Sequence, residues 1–321
     1  MTDVGTAQSL ASAQRVAAAL VGNVGLVVLG KDDRVRLVVA GLLAGGHVLL
    51  EDSPGVGKTV LAKAVVRSVG GGTAGRVQGT ADLLPTDITG VTTFDQARNE
   101  WRFRPGPLFH NVVVVDEINR ATPRAQSALL EAMAEGHVTV DGLDHRLPTP
   151  FFVLATQNPF GDVGTFPLVE GQLDRFAVSV SLGLPAREAE RLLLSGGGGV
   201  PALERLEPVV DGADVVAAIA AVDAEVHVAA PVLDYVLDLA AGLRQRIGTA
   251  RGVSPRATLT LLRVAKAHAV LAGRDYVAPD DVKAVARAAL AHRLSSVTAS
   301  DTGAGAALVE ATVAATPVPS P

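Results

Sequence analysis

The sequence predicts an α/β protein: a parallel sheet carrying a phosphate-binding loop, followed by an all-helical second domain. Three observations predict it. A short apolar strand, His47-Val48-Leu49-Leu50, passes through a glycine-rich turn into a helix that opens near Lys58. Four valines, Val112 to Val115, show no polar alternation and end in Asp116-Glu117, the pattern of a strand covered on both faces. After Leu184 strand signals largely vanish, and Ala-rich helical patterns run to about residue 313. The expected division is therefore residues 1–185 for the α/β domain with its N-terminal helices, 186–313 for the helical domain, and 314–321 for a disordered Pro-rich tail.

Taken in order, residues 8–45 read as helical, and 47–50 as a buried strand. The turn Glu51-Asp52-Ser53-Pro54-Gly55-Val56-Gly57 follows, and then a helix with apolar Val60, Leu61, Ala64 and Val65. Beyond the valine strand, Thr122 is placed to cap a helix and Pro123 to occupy its first turn. Ala125, Ala128, Leu129, Ala132 and Met133 form its apolar stripe, and Gly136 is placed to end it. Val138 to Leu147 reads as a hairpin around Asp141-Gly142, and Phe151 to Ala155 as another buried strand. Ser195 to Gly199 marks a flexible break.

Composition narrows the function. Apolar residues are 48% of the 321 and aromatics 3%, so the core is expected to be Ala, Val and Leu. A net charge of −5 argues against binding nucleic acid through bulk charge. The chain has no cysteine, which excludes disulfides, thiolate metal sites and cysteine nucleophiles. The opening residues do not read as a secretion signal, and the longest apolar stretch, Leu37 to Leu50, is too short to span a bilayer. A cytoplasmic location is expected.

The chemistry is concentrated at strand ends. In Pro54-Gly55-Val56-Gly57-Lys58-Thr59 the glycines let backbone N–H groups face phosphates at the positive end of a helix. Lys58 suits the β and γ oxygens of ATP, and the Thr59 hydroxyl suits Mg²⁺. The general pattern has glycine where this chain has Asp52. Asp116 is assigned to the magnesium shell and Glu117 to the general base that polarises water. Asn158, after the 151–155 strand, is a candidate to hold that water or sense the γ-phosphate. An Asn before a Pro also serves plain turn chemistry.

These segments together resemble the MoxR family of AAA+ ATPases. The resemblance is carried by Glu51 to Thr59, Leu83-Leu84-Pro85-Thr86-Asp87-Ile88-Thr89-Gly90, Arg104 to Phe109 and Asp116-Glu117-Ile118-Asn119-Arg120-Ala121. It continues through Ala155 to Pro159, Gly164 to Leu168, Gln172-Leu173-Asp174-Arg175-Phe176 and Ser254-Pro255-Arg256-Ala257, spanning most of residues 15–295. It accommodates Asp52, because the family often has a non-glycine there. Val169-Glu170-Gly171 and the run of glycines at 196–199 depart from the family pattern. The resemblance implies a P-loop AAA+ parallel-sheet core with a C-terminal all-helical lid domain, and a homo-oligomeric, usually hexameric, ring. It implies remodelling of a client complex, often with a partner carrying a von Willebrand factor A domain. By the same resemblance, residues 90–110 are the family's insertion in the second helix of the ATPase core and 137–150 the hairpin before the sensor strand, both directed at the ring pore or a client.

The resemblance also makes Arg175 the arginine finger, completing a neighbour's site. A guanidinium suits that role because it stays charged and bonds two phosphate oxygens. The competing reading is an ion pair with Asp174 or Glu170. Arg256 falls in the first turn of a helix capped by Ser254, where a cation is electrostatically disfavoured, so an anionic partner is expected. The family's second sensor fits that position; an exposed surface arginine is the alternative. Asn119 and Arg120 read equally as interface or structural residues. The rival functions are a metal-chelatase ATPase subunit, a nucleic-acid motor and a slow nucleotide switch. Glu117 argues against the last.

Overall fold

The computed structural model describes residues 3–158, 164–247, 253–294 and 302–319. Pro159 and the last two residues of the expected tail, Ser320 and Pro321, lie outside the described residues. The expected N-terminal helical run is two helices, α1 (Asp3–Gly25) and α2 (Asp32–Leu43). They are separated where Gly30 takes φ 67° and Asp32 and Asp33 open the next first turn.

Five strands form the central sheet: β1 (His47–Glu51), β2 (Ala74–Gln78), β3 (Val112–Asp116), β4 (Phe152–Gln157) and β5 (Phe176–Val180). All adjacent pairs are parallel, in the order β5-β1-β4-β3-β2. The valine run behaves as its sequence requires. Val112 and Val114 join the apolar cluster on one face, and Val113 and Val115 the cluster on the other. Side chains alternate across a strand, so a strand covered on both faces must be apolar at every position.

Two strands were not legible. In β2 only Gly75 and Val77 are buried, because it is an edge strand with polar Arg76 and Gln78 on its open side. β5 lies just after the arginine segment, and its Ser179 interrupts the apolar run.

The connecting helices follow the expected punctuation. α3 (Lys58–Ser68) buries Leu61, Ala62, Ala64 and Val65, and α4 (Pro85–Thr89) is a short helix opened by proline. α5 (Pro123–Glu135) is capped by Thr122, whose hydroxyl accepts the Ala125 N–H at 3.3 Å, and is closed by Gly136 at φ 68°. α6 (Glu170–Leu173) is a single turn. Hairpins Gly90–Asp95/Glu100–Pro105 and His137–Val140/Leu143–Arg146 stand beside the sheet. They meet where Phe103 stacks on His145 with ring centroids 4.1 Å apart.

Helices dominate after β5: α7 (Arg187–Leu194), α8 (Gly199–Glu204), α9 (Gly212–Glu225), α10 (Ala230–Ile247), α11 (Pro255–Leu271), α12 (Pro279–Leu290) and α13 (Thr302–Ala315). α13 continues two residues past the expected end of this region. α9 packs on α1, and α11 packs on α2 and α12. One apolar cluster thus runs from the N-terminal helices through one face of the sheet into the C-terminal helices. Asp281, fully buried in α12, accepts both arms of Arg274 at 2.6 Å, His268 Nδ1 at 2.7 Å and the Ala278 N–H at 2.8 Å. Burial alone would raise its pKa, but the His268 and Arg274 bonds outweigh that and hold the carboxyl below its ordinary value.

Candidate active site

The C-terminal ends of β2, β3 and β4 and the loop between β1 and α3 enclose a cleft of about 390 Å³. The loop bends through Gly55 at φ 86° and Gly57 at φ 98°, a region that favours glycine. At the start of the loop, Asp52 has a definite role. Its Oδ2 accepts the Gly183 N–H at 2.7 Å and the Ser181 hydroxyl at 3.1 Å, tying the loop to the chain leaving β5. Glycine there would lose both bonds.

Within the cleft the ionisable groups satisfy one another. Lys58 Nζ donates to the carbonyls of Asp52 and Ser53, the latter at 3.2 Å. Partial burial lowers the Lys58 pKa, opposed by the charges of Asp52, Glu117 and Asp116. The Thr59 hydroxyl donates to Asp116 Oδ1 at 3.1 Å, and Arg76 Nε donates to Asp116 Oδ2 at 2.9 Å. Glu117 follows in the left-handed region, φ 56°, an unusual conformation for a residue with a side chain. Its N–H donates to the Thr156 hydroxyl at 3.0 Å. Its Oε2 accepts Gln78 Nε2 at 3.4 Å and Arg120 Nη1 at 3.3 Å.

This crossing requires Gly79, where a Cβ would stand 2.1 Å from the Glu117 carbonyl oxygen. Asn158 also lines the cleft, and its carbonyl accepts Asn119 Nδ2 at 3.0 Å. Asn119 is thus buried as a brace, and Arg120 is a partner of Glu117. Sequence reading missed Arg76 and Gln78. Their signal was there: two polar side chains two apart, before a glycine, point to the same side of a strand.

The other two arginines are elsewhere. Arg175 immediately precedes β5, and Arg256 stands in the first turn of α11, capped by Ser254. Both line a separate pocket of about 140 Å³ with His47, Met133, Asp174 and Arg263. His47 opens β1, so this pocket lies at the N-terminal edge of the sheet and the phosphate loop at the C-terminal edge. Four steps along a parallel strand separate the two edges by about 13 Å. Among the described residues neither Arg175 nor Arg256 has an ion-pair partner. Asp174, one of the two partners in the competing reading of Arg175, pairs instead with Arg293 at 2.8 Å. His47 accepts the Val153 N–H at Nδ1 and donates from Nε2 to the Met133 carbonyl, each at 3.1 Å, so its neutral form is fully bonded. Burial first, and then the charge of Arg256, push its pKa down to about 4.

Comparison with known proteins gives the family. Residues 47–178 match the ATPase family associated with various cellular activities (AAA), and residues 241–312 match the AAA lid domain. The chaperone MoxR1 of Mycobacterium tuberculosis is 38% identical over 299 residues, covering 90% of this chain and 78% of that one. The chain belongs to the MoxR family of AAA+ ATPases. Like other MoxR-family members it binds and hydrolyses ATP. The uncharacterized protein YeaC of Bacillus subtilis is 44% identical, covering 85% of each chain. A crystal structure of a candidate ATPase from Cytophaga hutchinsonii superposes with a TM-score of 0.84 at 30% identity, covering 98% of each chain. The α/β core with a helical C-terminal lid is the MoxR fold expected from the sequence. No helix among the described residues is long and apolar enough to cross a membrane.

Proposed function

We propose that this MoxR-type ATPase works as a homo-oligomeric ring, hexameric by family resemblance, that hydrolyses ATP between adjacent subunits to remodel or mature partner proteins. In each cleft the loop Pro54-Gly55-Val56-Gly57 and Lys58 hold the phosphates. Thr59 and Asp116 would hold Mg²⁺. Their oxygens are the hard donors that ion takes, and they already meet at 3.1 Å. Bound magnesium supplies neutralising charge to the phosphate oxygens. Glu117 takes the proton of the attacking water, and Asn158 orients that water or contacts the γ-phosphate. Residues 1–185 form the nucleotide-binding part, 186–315, to the end of α13, the lid, and 316–321 a tail.

The observation that carries the ring reading is the pair of arginines, without ion-pair partners among the described residues, at the edge of the sheet opposite the phosphate loop. An arginine about 13 Å along a strand from its own cleft serves a phosphate only if a second copy brings one. Arg175 is then the finger, and Arg256 the second sensor, of a neighbour's site. The chaperone-like role is supported by the likeness to MoxR1. Trp101, 71% exposed on the first hairpin, gives that hairpin an apolar tip suited to a client or pore. A partner carrying a von Willebrand factor A domain, a cytoplasmic location and independence from nucleic acid complete the proposal.

The test mixes two inactive variants. Arg175→Ala is expected to bind ATP nearly normally and to hydrolyse it about 10³-fold more slowly. Lys58→Ala loses nucleotide binding. Mixed assemblies regain activity at interfaces that join an intact loop to an intact finger. Wild-type activity should rise steeply with protein concentration. Full activity in a dilute monomer, or no recovery in co-purifying mixtures, would sink the interfacial site.

A further inference from the structure

We propose that Arg293, near the C-terminal end of the lid, is a positioning residue that sets both Arg175 and Arg256 through Asp174. The inference rests on the interfacial reading of those two arginines. Arg293 is the largest fully buried side chain among the described residues, with its side chain 1% exposed. Its Nε bonds Asp174 Oδ1 at 2.8 Å. Its Nη2 donates to the Phe176 carbonyl at 2.9 Å and reaches the Asp174 carbonyl at 3.4 Å, while Nη1 donates to the carbonyl of Ala289. The guanidinium therefore grips the backbone on both sides of Arg175.

The same carboxylate reaches the second arginine. Asp174 Oδ2 accepts the Ser254 hydroxyl at 3.2 Å, and Ser254 Oγ in turn accepts the Ala257 N–H at 3.1 Å. Ser254 caps α11, and Arg256 is two residues further on. One buried ion pair thus ties together the backbone around Arg175, the first turn carrying Arg256, and the 3₁₀ turn Ala291–Leu294 that follows α12.

Packing alone does not call for this arrangement. A buried ion pair adds little stability over an apolar pair of similar volume, because desolvation offsets the attraction. What the charged pair adds is direction. The planar fork presents fixed donors to three carbonyls and a carboxylate at once, which a hydrophobic side chain cannot do. Among the described residues Arg175 and Arg256 carry no ion pair of their own, so their placement depends on what holds their backbone. A displaced finger costs rate, since about 1 Å of misplacement can cost about 10²-fold in a pre-organised site.

The experiment uses the full chain with Arg293→Lys, which keeps the charge but loses the fork. ATP affinity, read by direct binding, is expected to match the wild type, while turnover falls about 10- to 100-fold. Circular dichroism reports folding. Mixing Arg293→Lys with Lys58→Ala is expected to restore activity, because the Lys58→Ala subunit supplies well-placed arginines to an intact cleft. Mixing it with Arg175→Ala should restore none. The mixture of Arg175→Ala with Lys58→Ala serves as control.

Recovery in the control but not with Arg293→Lys, or weakened ATP binding at wild-type turnover, overturns the positioning role alone. Failure of both mixtures overturns the interfacial reading and this inference with it. If Arg293→Lys does not fold, Ser254→Ala takes its place. That variant loses both the bond to Asp174 and the cap on the Ala257 N–H, and should lower turnover about two- to tenfold at unchanged ATP affinity. Ser254→Thr should restore it, and wild-type turnover in Ser254→Ala overturns the proposal.

Discussion

The two edges of the sheet treat charge in opposite ways. At the C-terminal edge, Lys58 rests on carbonyl oxygens, Asp116 is shared by Thr59 and Arg76, and Glu117 is bonded by Gln78 and Arg120. At the N-terminal edge, Arg175 and Arg256 have no ion-pair partner among the described residues, while the groups beneath them are tightly bound. The first edge is a closed network, and on the proposed function a nucleotide enters it by offering better ligands. The second is a pair of waiting charges on a rigid base. Pre-organised cations without local partners are suited to an anion arriving from outside, because little must be broken to receive it.

Substitution at the two edges should separate these behaviours. The largest effect is expected from Glu117→Gln, which should keep ATP binding and lose about 10²–10⁴ in hydrolysis, the usual range for a general base. Turnover at the wild-type rate would remove Glu117 from that role. Arg256→Ala should come next, slowing turnover or weakening nucleotide binding about 10- to 100-fold, as loss of a charge-assisted bond does. Its melting temperature should be unchanged, because the side chain is exposed. Unchanged kinetics would leave the second edge with a single functional arginine.

A third measurement probes the rigid base through pH. The folded-state pKa of His47 is lowered to about 4, mainly by burial, so between that value and about 6.5 the unfolded chain binds the extra proton. Stability from neutral His47 is complete above about pH 6.5 and is lost as pH falls towards 4. Between pH 6.5 and 5 the loss from His47 is about 1–2 kcal/mol; His47→Gln should remove that share and leave the loss from buried His292, whose pKa is likewise lowered. Melting curves of both proteins across that range decide it; parallel curves would remove His47 as the cause.

The smallest effect tests the first edge. Arg76→Gln should release Asp116 for metal and lower the magnesium concentration needed for nucleotide binding about two- to fivefold, the scale of a half-exposed ion pair. A higher magnesium requirement would show instead that Arg76 assists the bound state.

Residues that act through local backbone were readable in advance. Pro54 to Thr59 specifies a loop by glycine conformation and helix polarity alone, and the cap-and-proline pairs Thr122-Pro123 and Ser254-Pro255 mark their helices wherever those helices pack. The valine run declared itself because complete burial leaves no polar position. Arg76 and Gln78 stayed hidden, because an edge strand buries only one side and so carries a weak apolar pattern. Asp174 was readable as an ion-pair residue, but its partner is 119 residues away. No local pattern ties Asp174 to Arg293, and the competing reading of Arg175, an ion pair with Asp174, is not what the structure forms.

By itself, then, the sequence determined which chemical groups exist and which short-range geometry presents them: the phosphate loop, the acidic strand end, the capped arginine turn. Those depend on φ preferences, capping and periodicity, all of which act over a few residues. Only the tertiary structure decided that β5 pairs parallel with β1, putting Arg175 at the edge opposite the loop, and that α11 brings Arg256 to the same pocket. Only it decided that a buried guanidinium holds them there. Strand order and buried pairing are settled by contacts between distant segments, where apolar burial selects the arrangement and each polar group takes whichever partner that arrangement brings within reach.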